Sequence, residues 1–180
     1  MFSNKYLKDY RVEEYIDEKG RTRKEAIYIG GDYSVSPPVS FRGKVLMVCL
    51  AALSLFAFLG ALVPMINAAR RSYIMLPFVV SALPMYFVIA STVSFLFSKE
   101  VMIRENAEKI TRRLPPCAFF TLVLSGAAFL GTIISAAISW DSFIPGDFIF
   151  AALCLAVFAA SSVIFIKCRK IKAVKRDSGG

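Results

Sequence analysis

Val45-Leu-Met-Val-Cys-Leu-Ala-Ala-Leu-Ser-Leu-Phe-Ala-Phe-Leu-Gly-Ala-Leu-Val-Pro-Met-Ile66 carries no charged residue along its 22 positions. At about 1.5 Å of rise per residue, a helix of this length crosses a hydrocarbon core about 30 Å thick. Core helices of soluble proteins keep a polar stripe for water. This stretch has none, so its predicted solvent is lipid. Tyr73–Phe97, Cys117–Ser139 and Phe148–Ile166 are likewise free of charge, the last reaching spanning length when extended back to 145. The predicted spans are therefore 45–66, 73–97, 117–139 and 145–166. Composition agrees, since 57% of the 180 residues are apolar against roughly 45–50% in a soluble domain. The expected fold is an all-α integral membrane protein, a four-transmembrane-helix bundle. About forty largely polar residues precede the first span, so no cleavable signal peptide is expected.

Lys and Arg set the orientation. Nine precede residue 45, five lie between the second and third spans (Lys99, Arg104, Lys109, Arg112, Arg113), and six follow Ile166; only Arg70 and Arg71 lie elsewhere. Placing both termini in the cytoplasm puts 20 of the 22 inside, as the positive-inside rule requires. The net charge of +9 is then a product of topology, and nucleic acid is not an expected partner. Tail residues Lys167, Arg169, Lys170 and Lys172 are candidate contacts for anionic lipid headgroups, at about 1 kcal/mol per basic residue near the surface. Minimal external loops and the lack of external glycosylation signals point to a bacterial cytoplasmic membrane.

Residues 1–44 form the cytoplasmic N-terminal segment. Arg11–Ile16 and Arg21–Ile29 alternate in polarity around Asp17-Glu-Lys-Gly20, the pattern of a β-hairpin closed by a type I turn with a Gly bulge. A two-stranded ribbon is marginal in water, so it must rest on the bundle, on the second loop or on a partner. Gly30-Gly31 reads as a turn, because no Lys-Ser or Lys-Thr helix follows to make it a phosphate loop. Residues 99–114 are predicted to form an amphipathic helix continuing out of the second span. Glu100/Arg104, Glu105/Lys109 and Glu108/Arg112 pair at four-residue spacing, Ile103, Ala107, Ile110 and Leu114 line one side, and Pro115-Pro116 end the helix. Residues 167–180 read as a basic tail.

The two halves resemble each other. Leu53–Gly60 aligns with Leu124–Gly131 at six of eight positions, and Ala90–Phe95 and Pro37–Phe41 find counterparts at Ala160–Phe165 and Pro115–Phe119. The expectation is two parallel-repeat hairpins, with both termini inside, related by a pseudo-twofold axis along the membrane normal. Small residues at Ala127, Gly131, Ser135 and Ser139, and at Ala152, Ala156 and Ala160, recur every fourth position and are expected to pair the third and fourth spans.

The chain has no histidine, which excludes His-dependent nucleophile systems and His-ligated metals. Cys49, Cys117, Cys154 and Cys168 form no CxxC motif, so neither a zinc site nor a disulfide framework is expected. The charge-free stretches 45–66, 73–97, 117–139 and 148–166 argue against proton-coupled transport and intramembrane proteolysis. Membrane hydroxyls can bond the carbonyl one turn back and are read as structural. The matched pairs Ser91-Thr92 and Ser161-Ser162 are nonetheless the best candidate polar site in the membrane. Pro77 and Pro84, seven residues apart, are expected to kink the second span. Arg70 and Arg71 are placed opposite Asp141 and Asp147 in short external loops. No cofactor and no catalytic residue is expected. The resulting functional expectation is a non-enzymatic interaction or accessory subunit of a membrane complex, with lipids and either a protein partner or further copies of itself as partners. The alternative is a small transporter or channel subunit acting as an oligomer.

Overall fold

The computed structural model describes residues 10–16, 21–29, 31–62, 71–98, 102–139 and 145–175. The hairpin turn Asp17–Gly20, the external loop Asn67–Arg70, Glu100, Trp140 and Asp141 lie outside the described residues. The order of elements is β1 (Tyr10–Ile16), β2 (Thr22–Tyr28), β3 (Tyr33–Ser36), α1 (Phe41–Leu62), α2 (Ser72–Val80), α3 (Ala82–Leu96), α4 (Arg104–Glu108), a π-helical turn (Lys109–Arg113), α5 (Leu114–Ile138), α6 (Pro145–Cys168) and β4 (Lys172–Lys175). Four helical stretches are long and apolar enough to cross a membrane: Phe41–Leu62, Ser72–Leu96, Arg104–Ile138 and Pro145–Cys168.

The helices partition their side chains in the reverse of a soluble bundle. Large apolar residues face outward, among them Phe56, Leu76, Leu83, Leu130 and Phe148. The buried set includes the hydroxyls Ser54, Ser81, Thr92, Thr121, Ser125, Thr132, Ser135 and Ser161. Soluble monomers rarely expose contiguous apolar patches beyond a few hundred Å², so a soluble apolar bundle does not account for this surface. The architecture is that of a membrane protein.

The helices pack as a ring in which α1 contacts α3 and α6, and α5 contacts α6 and the α2–α3 pair. Two cores fill it. At one end Phe78 stacks on Phe58 at 4.6 Å between ring centres and meets Phe150 edge-on at 5.1 Å. At the other end Met47, Phe95, Ile110, Leu114, Ile164 and Ile171 pack together.

The second span runs from Ser72 to Leu96 with an irregular step at Ser81 between α2 and α3. Pro84 has no N–H for the Val80 carbonyl, and the helix gives way one turn earlier, where the Ser81 N–H reaches both Pro77 and Phe78 carbonyls, at 3.1 and 3.2 Å. Pro77 lies within α2 without interrupting it.

The amphipathic helix differs from expectation in its direction. It does not continue out of the second span, because α3 ends at Leu96 and the cap at Phe97. It runs instead into the third, so that Arg104–Ile138 is one continuous helical stretch. Pro115 and Pro116 do not end it. They follow the π-helical turn, in which the Leu114 N–H bonds the Lys109 carbonyl five residues back. The ladder has already shifted there, and the prolines occupy the opening positions of α5, where missing donors are tolerated. Ala107, Ile110 and Leu114 are fully buried and Ile103 is exposed, so most of the apolar face is covered by the chain's own basic-end core.

The basic tail also departs from the reading as a simple tail. Lys172–Lys175 form β4, paired antiparallel to β3 with Ser36 opposite Lys172 and Tyr33 opposite Lys175. On the other edge of β3, Tyr33 and Met102 exchange backbone hydrogen bonds of 3.1 and 2.9 Å. The N-terminal approach, the inter-span segment and the C-terminal strand thus meet at one end of the bundle.

The stripe of small residues is only partly a helix–helix seam. A four-residue step turns about 400°, so such a stripe drifts about 40° per step around an α-helix. Ala127 is exposed while Gly131 is buried, and a Cβ on Gly131 would meet Ile74 of α2 at 3.2 Å. The helix α6 is met instead at Gly126, whose added Cβ would lie 3.2 Å from Phe158. In α6, Ala152 is exposed and Ala160 buried, for the same reason.

Candidate functional site

Several of the membrane hydroxyls bond carbonyls of their own helices. Thr92 donates to the Val88 and Ile89 carbonyls at 2.9 and 3.0 Å, and Ser162 to Phe158 at 2.8 Å. Thr121, Ser125 and Thr132 bond Cys117, Leu122 and Ala128 at 2.9, 3.1 and 2.9 Å in the same way. Ser91 and Ser161 are buried at 7% and 3% exposure. No extensive contact joins α3 to α6, which occupy opposite corners of the ring. The Ser91-Thr92 and Ser161-Ser162 pairs are therefore on facing diagonals and are not assembled into one polar cluster. With its proton spent on a backbone carbonyl, a hydroxyl supplies packing and local satisfaction but no nucleophile.

The far end of the bundle holds Asp147, 1% exposed in the first turn of α6. A carboxylate there complements the helix dipole. Arg71 donates to the Tyr73 hydroxyl at 3.1 Å. The expectation of wholly exposed charges in the external loops thus gives way, for Asp147, to a buried and engaged carboxylate.

Chemistry-bearing side chains converge at the basic end. The α4 and π-helical segments present Arg104, Glu108, Thr111 and Arg112 to a cavity of about 380 Å³. Tyr33 of β3 and the Ile171-Lys172 step after α6 close it from the other side. Arg104 Nε lies 3.2 Å from the Glu108 carboxylate, with Glu108 only 16% exposed. Glu108 pairs with Arg104, and among the described residues no ion pair joins it to Arg112. The Glu105–Lys109 pair forms as expected at 2.8 Å. Thr111 donates to the Ala107 carbonyl at 2.8 Å.

Of the tail residues singled out as headgroup contacts, Lys172 lines this cavity, Arg169 and Lys170 lie exposed in the turn after α6, and Lys167 is half-buried in its last turn. Sequence reasoning missed Arg112 and Tyr33 as site residues. The only signal for Arg112 was its assumed partner, Glu108. Lys44 adds a further anchor nearby, donating to the Ser98 carbonyl at 2.8 Å and lying 5.0 Å from the centre of the Phe95 ring. No group of three or more Cys, Asp or Glu that could hold a metal occurs among the described residues.

No protein-family model matches this chain, and neither a curated protein nor a solved structure is detectably similar to it.

Proposed function

We propose that the chain is a non-enzymatic interaction subunit of a membrane complex, with both termini in the cytoplasm and the basic end as its working end. The observation that carries this reading is the β1–β2 ribbon. Its seven-residue strands pair from Tyr10 opposite Tyr28 to Ile16 opposite Thr22. Among the described residues it makes no extensive contact with any helix. Val12 on one face is 62% exposed and Ile27 on the other 41%, while the Glu14–Lys24 pair at 2.7 Å is a surface ion pair of small worth. A ribbon with so little of its own to rest on gains stability from a second surface.

The inward orientation rests on the charge count, and the meeting of β3, Met102 and β4 at one end is consistent with it. The parallel duplication is supported by positions related by 71 residues. Ser54 and Ser125, and Ala57 and Ala128, are buried in both halves. Gly60 faces Leu153 of α6, and its counterpart Gly131 faces Ile74 of α2, the contact that a twofold exchange of hairpins requires. Purification of the full chain from its native membrane in mild detergent tests the function. A stoichiometric partner that is lost on deleting residues 10–28 is the expected result. A partner-free oligomer that passes solute in liposomes would replace this reading with that of a transporter or channel subunit.

A further inference from the structure

We propose that the cavity between α4, the π-helical turn and β4 is a binding site for a phosphate-bearing anion, held chiefly by Arg112 and Lys172. The proposal stands on this cavity and does not depend on the ribbon or on the partner it implies.

Charge is the first argument. Arg104 and Glu108 pair across 3.2 Å, and both are further engaged. That leaves Arg112 and Lys172 as two positive charges lining one cavity, and among the described residues neither has an ion-pair partner. They are far apart in the chain, Arg112 in the π-helical turn and Lys172 at the start of β4, whose pairing with β3 holds it at the same cavity. Glu108 is the one acidic residue among the described lining, 16% exposed and paired with Arg104.

Shape is the second argument. A cavity of about 380 Å³ exceeds what a carboxylate or chloride fills. It lies at the low end of the range of small-molecule sites, about 300–1,000 Å³. The floor includes Ile171, 6% exposed, and the half-buried Tyr33, which suits an organic substituent behind the charged group. A phosphomonoester carries close to two negative charges at neutral pH, equal to the uncompensated positive charge. The Arg fork binds phosphate oxygens in pairs, and Lys adds a point charge. Such a group can come from a lipid headgroup at the membrane surface or from a free phosphorylated solute.

The test uses the full chain with two probes. Inorganic phosphate is titrated calorimetrically into detergent-solubilised protein. Retention of phosphatidic acid is read by native mass spectrometry from nanodiscs of phosphatidylcholine with and without that lipid. Binding of at least one probe is expected. Arg112 and Lys172 are exposed, so Arg112→Gln and Lys172→Gln are each expected to weaken it about three- to ten-fold, the loss of a partly screened charge-assisted contact. Lys172→Arg, which keeps the strand and the charge, is expected to retain binding, and Lys170→Gln, exposed and outside the cavity, to change it less than about two-fold. Phosphate binding without any preference for phosphatidic acid identifies a free solute as the source. Binding of phosphatidic acid alone identifies the lipid, and either result supports the site. The proposal is overturned if neither probe binds, if Lys170→Gln weakens binding as much as the cavity variants, or if Lys172→Arg abolishes it.

Discussion

Replacing Lys44 by methionine removes one charge and leaves the aliphatic stem, so the variant isolates what the ammonium does. In the structure that ammonium donates to the Ser98 carbonyl at 2.8 Å and lies 5.0 Å from the centre of the Phe95 ring. The Ser98 carbonyl lies just past the end of α3, where carbonyls have no helical donor. A hydrogen bond from a charged donor is worth about 1.5–3 kcal/mol and a partly exposed cation–π contact about 0.5–1 kcal/mol. Lys44 is only half-buried, and solvent screening brings the expected total to about 1–3 kcal/mol. That corresponds to a roughly 5- to 150-fold shift in the unfolding equilibrium. Reversible unfolding in mixed detergent micelles, followed by helical circular dichroism, reads this shift directly. Lys44→Arg is expected to recover part of it, since a donor and a cation remain. A Lys44→Met variant with an unchanged unfolding midpoint would refute the placement of α1 against the end of α3 and the anchoring argument with it.

Three further outcomes are expected. Phe78→Ala empties a position 2% exposed between Phe58 and Phe150, and a loss of about 3–5 kcal/mol in the same unfolding assay is expected from the cavity. Thr92→Val removes a hydroxyl whose acceptors belong to its own helix, so a change within about 1 kcal/mol is expected; a loss of about 3 kcal/mol or more would mean that the hydroxyl serves a second group and would revive the polar site of Ser91, Thr92, Ser161 and Ser162. In a background in which all four native cysteines are replaced by serine, Arg169→Cys, exposed in the turn after α6, is expected to react with a membrane-impermeant maleimide in inside-out vesicles and not in intact cells; labelling of intact cells would reverse the orientation.

The helices were legible because the partition between lipid and charge is a coarse signal that needs no knowledge of neighbours. Twenty consecutive uncharged residues admit few structures in any context. The two strands of the ribbon were legible for a similar reason, because the pattern of alternating residues is local. What escaped reading depends on contacts between distant segments. Pro115-Pro116 reads locally as a stop, yet the π turn before it shifts the hydrogen-bond ladder and lets Arg104–Ile138 run on. Lys172-Ala-Val-Lys175 has neither the length nor the pattern of a strand, and it becomes one because Tyr33–Ser36 offers an open edge. Four-residue helical spacing offers Arg112 to Glu108, whereas in the structure Glu108 pairs with Arg104 and Arg112 lines the cavity.

The inverted partition of side chains also indicates where function resides. A bundle most of whose described hydroxyls bond a carbonyl of their own helix has met much of its own polar requirement and turns large apolar side chains outward. Such a bundle supplies position and orientation but little reactivity. The basic end is the contrary case. Three segments far apart in the chain converge there, two cations share a cavity without an ion partner among the described residues, and a two-stranded ribbon has little of the described chain to lean on. The proposed orientation accounts for positive charge at that end. It does not require that Arg112 and Lys172 line one cavity, or that β4 fold back over the bundle to place them there. The part of the arrangement that topology leaves unexplained is the part with the chemistry to recognise something.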